Sequence, residues 1–267
     1  MTRIGQMFDN LKREERKGFI AYLTAGDPSP DRTASLVDAL VRGGADLIEL
    51  GVPFSDPIAD GPVIQRAGER ALKAGTSLKV VLEIAAQIRR TSQVPLLLFT
   101  YLNPVVRYGM ERLAQDAAAA GIDGCLLTDA SVDEAHEYVA AMHRHGLDTV
   151  FLAAPTSTER RLKLVAQYST GFVYLVSRTG VTGVQESLSA HVAPLVRHMR
   201  AVTDLPLAVG FGISKAEHVT ELSGQVEAVV VGSAIVRCIE QNGDNPSLEL
   251  QLESLTRELK RGFGAHA

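Results

Sequence analysis

Gly18-Phe-Ile-Ala-Tyr-Leu23, then a polar turn, then a stretch opened by Ser29-Pro30 and closed by Gly43-Gly44, then Asp46-Leu-Ile-Glu-Leu50: residues 18–50 read as strand, helix, strand. The middle stretch places Leu36, Val37, Leu40 and Val41 on one face at helical spacing, and the two flanking runs are short, apolar and of strand length. Proline at the start of a helix and glycine just past its end are ordinary punctuation, because the proline lacks only an N–H that would go unpaired there. A helix between two strands is the crossover that makes those strands parallel.

Working outward, the same alternation recurs along the chain. Further strands are expected at 95–99 (PLLLF), 123–127 (DGCLL), 148–152 (DTVFL), 171–176 (GFVYLV), 206–209 (PLAV) and 227–231 (EAVVV), which with 18–23 and 46–50 makes eight. Helical spacing appears over roughly 76–91, 109–120, 131–145, 157–168, 189–201 and 214–223, with a closing amphipathic helix at 246–262. Eight such units predict an α/β fold, the (β/α)8 barrel or TIM-barrel architecture, with an extra N-terminal helix and a short phosphate-binding helix after strand eight. No Pro/Ser-rich linker divides the chain, so residues 1–267 are expected to form one domain. An open doubly wound sheet is the competing fold, but neither a GxGxxG turn nor a P-loop pattern occurs.

Composition excludes several functional classes. The 27 basic and 31 acidic residues are interspersed and leave a net charge of only −4, with no basic stripe to track nucleic acid. The charged start MTRIGQMFDNLKREERKG has no apolar core of a signal peptide, and no run of apolar residues is long enough to span a bilayer. A soluble, cytoplasmic protein is expected. Cys125 lies in an apolar run and Cys238 in a helical stretch, which reads as two reduced, packed thiols.

In a barrel of this kind the chemistry sits at strand C-termini and the loops that follow. Strand alternation points Glu49 into the barrel with Leu47, while Ile48 and Leu50 face the helices. Burial raises the pKa of such a carboxyl and suits it to proton transfer near neutral pH. A salt bridge inside the barrel is the other reading of Glu49, but no Lys or Arg stands on a neighbouring strand end. Asp60 closes the loop Gly51-Val-Pro-Phe-Ser-Asp-Pro-Ile-Ala-Asp60, which can return it over the barrel mouth; spacing alone leaves it between a second acid–base group and a turn-capping carboxylate, the latter reading applying more strongly to Asp56.

Glycine turns follow the last two strands, Gly210-Phe-Gly212 and Gly232-Ser233, where barrels of this architecture bind phosphate. A helix starting at Ser233 would aim free N–H groups at an anion, and Gly183 could add another. The seven histidines (136, 143, 145, 191, 198, 218, 266) fall in helices or the tail, so a His-built metal site is not expected. No lysine lies inside the expected barrel to form a Schiff base, and Ser177 has no nearby histidine to activate it. These residues point to metal-free acid–base catalysis on a phosphorylated small molecule.

The stretch Glu49-Leu-Gly-Val-Pro-Phe-Ser-Asp-Pro-Ile-Ala-Asp-Gly-Pro-Val-Ile-Gln65 closely resembles the hallmark loop of the tryptophan synthase alpha subunit family. Ala21–Pro28, Thr100-Tyr-Leu-Asn-Pro104, Ala154-Pro-Thr156, Ser177–Gly183, Gly210-Phe-Gly212 and Gly232-Ser-Ala-Ile235 resemble it in the same order, over roughly residues 3 to 260. The resemblance implies a lyase of tryptophan biosynthesis that splits indole-3-glycerol phosphate by a retro-aldol step into indole and glyceraldehyde 3-phosphate. It implies Glu49 and Asp60 as the catalytic pair, with Asp60 on the indole N–H and Glu49 moving protons at indole C3 and the glycerol hydroxyl. Gly183, Gly212, Gly232 and Ser233 are implied at the phosphate, Thr182 as a further substrate contact, Tyr174 near Glu49, and Tyr22, Ile64 and Phe99 around the indole. It also implies an αββα complex with a beta subunit that holds pyridoxal phosphate, none being expected in this chain. The loops at 53–60 and 177–190, with Asn103, would face that partner. One segment departs: Thr128-Asp-Ala-Ser131 stands where many members have Pro-Asp-Leu-Pro, which frees the backbone that two prolines would fix.

Two other functions compete. A stand-alone lyase would use the same residues without a partner, and turnover with and without a beta subunit separates the two. A non-catalytic allosteric subunit that only binds phosphate would not need both Glu49 and Asp60, and an unchanged indole yield in Glu49→Gln would favour it.

Overall fold

A computed structural model of the chain describes residues 1–176, 188–210 and 212–264. Its centre is eight parallel strands: β1 (Gly18–Thr24), β2 (Leu47–Gly51), β3 (Leu96–Thr100), β4 (Gly124–Leu127), β5 (Asp148–Ala153), β6 (Val173–Val176), β7 (Leu207–Gly210) and β8 (Ala228–Val231). Each pairs with its neighbour in sequence and β1 also pairs with β8, so the sheet closes on itself as a barrel. The helices outside it are α1 (Arg3–Arg13), α2 (Pro30–Arg42), α3 (Pro62–Lys73), α4 (Leu78–Arg89), α5 (Leu102–Tyr108), α6 (Met110–Ala119), α7 (His136–Arg144), α8 (Glu159–Tyr168), α9 (Leu188–Arg200), α10 (Ala216–Ser223), α11 (Ser233–Asn242) and α12 (Leu248–Lys260).

Strand alternation divides the apolar residues into two layers. Ile20, Leu47, Leu97, Leu126, Val150, Ala208 and Ala228 pack inside the barrel. Phe19, Ile48, Leu50, Leu96, Leu98, Val173 and Val229 face the helices and meet Leu36, Leu40, Val81, Leu113 and Leu252 there. Helix α1 covers one end of the barrel. It presents Ile4, Met7, Phe8 and Leu11 to the inner layer, and Phe8 meets Phe172 at 5.7 Å between ring centroids. The Thr2 side chain caps that helix through the Gly5 N–H, and Arg3 with Arg89 grips the buried Asp123 carboxylate. With its N-terminal end filled in this way, the open end of the barrel is the one where the strands finish.

The expected strands are all present within a residue or two of their bounds, but three helical features differ. Helices α3 and α5 lie where the pattern gave no helix. The buried face of α3 is Ala67, Gly68 and Ala71, too small to register as an apolar stripe, and α5 contains Pro104 within its first turn. The expected helix 131–145 is a single 3-10 turn (Val132–Glu134) followed by α7. Among the described residues no helix is long and apolar enough to cross a membrane.

Candidate active site

Glu49 stands in β2 in register with Tyr22 of β1 and Leu97 of β3, and its inner-layer neighbours confirm that it points into the barrel. It is 1% exposed, and neither carboxylate oxygen has a hydrogen-bond partner among the described residues. Loss of water around it pushes the carboxyl up to about 8, with no cation among the described residues to oppose the shift. Glu49 is therefore a neutral acid at neutral pH, in a place where a packing role would favour an apolar side chain.

Two tyrosines flank it, and both owe their positions to glycines. A Cβ on Gly51 would lie 2.3 Å from the Tyr22 hydroxyl, and one on Gly210 would lie 2.0 Å from the Tyr174 hydroxyl. Only glycine at the ends of β2 and β7 leaves room for those phenols to lie across the strands. The Tyr22 hydroxyl is 3.3 Å from the Thr24 hydroxyl, and its ring meets Phe99 edge-on at 5.2 Å. Burial, with the Glu49 and Asp60 charges adding to it at Tyr22, keeps both phenols protonated far above neutral pH.

Asp60 returns over the barrel mouth as its loop allows. Ile58 N–H bonds the Asp56 carbonyl and Asp60 N–H the Pro57 carbonyl, so the segment folds as consecutive tight turns. The Gln65 side chain donates to the Asp60 carbonyl at 2.9 Å, fixing the loop to α3. Partial burial raises the Asp60 carboxyl to about 6, while a hydrogen bond from Tyr101 opposes that rise. Asp56 stays exposed, and its carboxylate accepts the Ser55 hydroxyl at 2.6 Å.

One cavity of about 640 Å³ is lined by Tyr22, Glu49, Asp60, Ile64, Phe99, Tyr174, Gly212, Gly232 and Ser233. Its size is that of a small-molecule site, which runs to roughly 300–1,000 Å³. Glu49 and Asp60 thus share one space with the glycine turns after β7 and β8. Gly212 has φ +79° with open space where a side chain would project, a backbone shape that strains other residues and lets a ligand approach the peptide closely. Ser233 begins α11, whose first N–H groups have no partner inside the helix. Helices α3 and α11, which carry Ile64 and Ser233, are tied together by Arg66 and Arg70 on Glu240 at 2.6 and 3.0 Å, and Arg70 also grips the buried Asp27.

Thus nine of the expected residues line one space, while Thr182 and Gly183 lie outside the described residues. Sequence reading assigned no part in the cavity to Tyr101, whose hydroxyl accepts the Ala59 N–H at 3.1 Å, nor to Ile58, Ala59, Gly61 and Val230, which complete the lining. The signal for Tyr101 was available: it lies two residues after Phe99 at the end of β3, so alternation carries it to the same side.

The chain resembles known proteins along nearly its whole length. The family model for the tryptophan synthase alpha chain matches residues 8–263. The tryptophan synthase alpha chain of Solibacter usitatus (strain Ellin6076) is 80% identical over 267 residues, all of both chains. That of Geobacter sulfurreducens is 47% identical over 90% of this chain and 91% of its own. The crystal structure of tryptophan synthase subunit alpha from Legionella pneumophila str. Paris superimposes with a TM-score of 0.91 at 35% identity, covering 98% of each chain. With a family match across nearly its whole length and a barrel of the same shape, the chain belongs to the tryptophan synthase alpha chain family.

Proposed function

We propose that the chain cleaves indole-3-glycerol phosphate to indole and D-glyceraldehyde 3-phosphate, with Glu49 and Asp60 as its acid–base pair. As a tryptophan synthase alpha chain it is a lyase subunit of the tryptophan synthase complex. The observation that carries the residue assignment is Glu49 itself, a buried carboxyl whose two oxygens have no partner among the described residues and which faces a cavity large enough for the substrate.

The chemistry follows from the two protonation states. Near pH 7 Glu49, raised to about 8, holds its proton, and Asp60, raised to about 6, has lost its own. With the indole ring between Phe99 and Ile64, Glu49 gives its proton to indole C3; the electrons of the C2–C3 double bond form the new C–H bond, and positive charge appears on the ring nitrogen. The Asp60 carboxylate accepts a hydrogen bond from that N–H and stabilises the charge in a partly dry site. Glu49, now ionised, takes the proton of the hydroxyl on the carbon bonded to C3. The O–H electron pair becomes a carbonyl, the carbon–carbon bond breaks, and its electrons return to the ring. Glu49 ends protonated, as it began. Tyr174 and Tyr22, both neutral, border the carboxyl and exclude water from it.

The phosphate is assigned to the glycine turns after β7 and β8, where Gly212, Gly232 and Ser233 offer backbone N–H groups and the positive end of α11, with Gly183 as a further donor and Thr182 as a further substrate contact. The partner is a beta subunit, and we assign the assembly as α2β2 in the cytoplasm. Pyridoxal phosphate belongs to that partner, and no step above uses a cofactor. The loops 53–60 and 177–190 with Asn103 are the assigned docking face; Ile58 at 84% and Val106 at 57% exposure are apolar side chains that a partner there would cover.

The test is indole release by the purified chain supplied with indole-3-glycerol phosphate, alone and with a beta subunit. Glu49→Gln should lower the rate by about 10²–10⁴-fold. An undiminished rate would refute the assignment and favour a phosphate-binding, non-catalytic subunit.

A further inference from the structure

We propose that the turn after β4, Thr128-Asp129, is a positioning device for Asp60 that works through Tyr101. The inference rests on the reading of Asp60 as the carboxylate that stabilises the charged indole.

The turn Thr128-Asp129 holds Tyr101 in place. Leu127 pairs with Thr100 in the sheet, and beyond the end of β4 the contact continues through one backbone bond and two side chains. The Thr128 N–H donates to the Thr100 carbonyl at 2.9 Å, and the Thr128 hydroxyl reaches the same carbonyl at 3.3 Å. The Asp129 carboxylate accepts the Leu102 N–H at 2.7 Å. The acceptor immediately before Tyr101 and the donor immediately after it are thus both held from β4, so the backbone of Tyr101 is clamped on either side. A proline at position 128 has no N–H and no hydroxyl, so it could make neither bond to the Thr100 carbonyl.

What the clamp aims is a phenol. Tyr101 is 2% exposed, and its ring lies against Phe54 at 5.1 Å, on the same loop as Asp60. Its oxygen accepts the Ala59 N–H at 3.1 Å, and a phenol has a single proton, which is left for the Asp60 carboxylate. That bond favours the ionised carboxylate, the form the mechanism requires, against the burial that disfavours it. Tyr101 and Asp129 touch neither the cavity's phosphate wall nor Glu49 in any bond described above. Their loss should therefore alter the ionisation and aim of Asp60 and leave substrate affinity nearly unchanged.

The experiment is the pH profile of indole formation, with kcat and KM measured separately, by the chain in complex with its beta subunit. Wild type, Tyr101→Phe, Asp129→Ala and Asp60→Asn are compared. Tyr101→Phe should move the acid limb upward by about one pH unit. Asp129→Ala should move it in the same direction by less, and KM should change by under about threefold in both. A role confined to folding would lower thermal stability or raise KM without moving the limb. If the limb is unmoved in Tyr101→Phe, or moves there but not in Asp129→Ala, while Asp60→Asn abolishes it, the positioning role of the turn is overturned. If Asp60→Asn itself keeps the wild-type limb and rate, the reading of Asp60 fails first, and the two failures are told apart by that variant.

Discussion

Glu49 and Asp60 have carboxyls of similar intrinsic acidity, and the fold separates them by burying one completely and leaving the other half-buried and bonded to Tyr101. Only between their two values is Glu49 protonated while Asp60 is charged. The profile of kcat/KM, which reports groups of the free enzyme, should be bell-shaped with limbs near about 6 and about 8; a profile flat from pH 5 to 9 would contradict the pairing. The same burial has a stability consequence. Below the ordinary value of 4.5 Glu49 is neutral in both folded and unfolded chains and carries no penalty. As pH rises from there to about 8 the unfolded chain ionises while the folded one does not, so stability is lost across that window and the loss levels off above it. A shift of that size corresponds to a penalty on the order of 3–5 kcal/mol. Glu49→Gln lacks it, so the Tm of the variant should gain on wild type between pH 5 and pH 8; a difference independent of pH would mean that Glu49 is not held neutral. The inward aim of Glu49 was legible from strand alternation alone. The bond from Tyr101 to Asp60 was not, because it joins residues 41 positions apart on two loops whose shapes no local pattern specifies.

At the scale of elements, the strands were legible because each is a short apolar run stopped by a turn, and because a strand buried on both faces needs no alternation of polar residues to be recognised. Helices α3 and α5 were not legible: one buries small residues and the other begins around a proline. Helix α3 borders the site through Ile64, and α5 follows directly on Tyr101, which holds the Ala59 N–H of the Asp60 loop. The turn after β7 allows strain and charge to be separated. Gly212 has room for a Cβ but a φ of +79°, so Gly212→Ala tests backbone strain alone. Gly212→Asp adds a carboxylate beside the assigned phosphate position. Isothermal titration with a non-cleaved phosphorylated analogue should show weaker binding in both, with Gly212→Asp the weaker by a further ~10-fold or more, a gap that narrows as salt is raised. Equal affinities in the two variants would move the phosphate away from this turn.

Across the whole molecule, closure of the barrel divides labour between its ends. The strand C-termini are left open around a cavity, and the other end is filled by α1, whose Ile4, Met7, Phe8 and Leu11 complete an inner layer that the strands alone would leave exposed. Eight repeated units made the barrel legible as an architecture. The extra N-terminal helix was expected too, but its function as a plug depends on which end of the barrel it meets, and that is a tertiary fact. Phe8 tests the division. It is 6% exposed, against a fully buried Phe172, and far along the barrel from the wall formed by Gly212, Gly232 and Ser233. Phe8→Ala should destabilise the chain by about 3–5 kcal/mol through lost burial and the cavity left behind, lowering Tm by roughly 6–15 °C. At 20 °C, where the variant remains folded, KM for indole-3-glycerol phosphate and the two pH limbs should keep their wild-type values. A changed KM with unchanged Tm would mean that α1 shapes the site instead of sealing the opposite end.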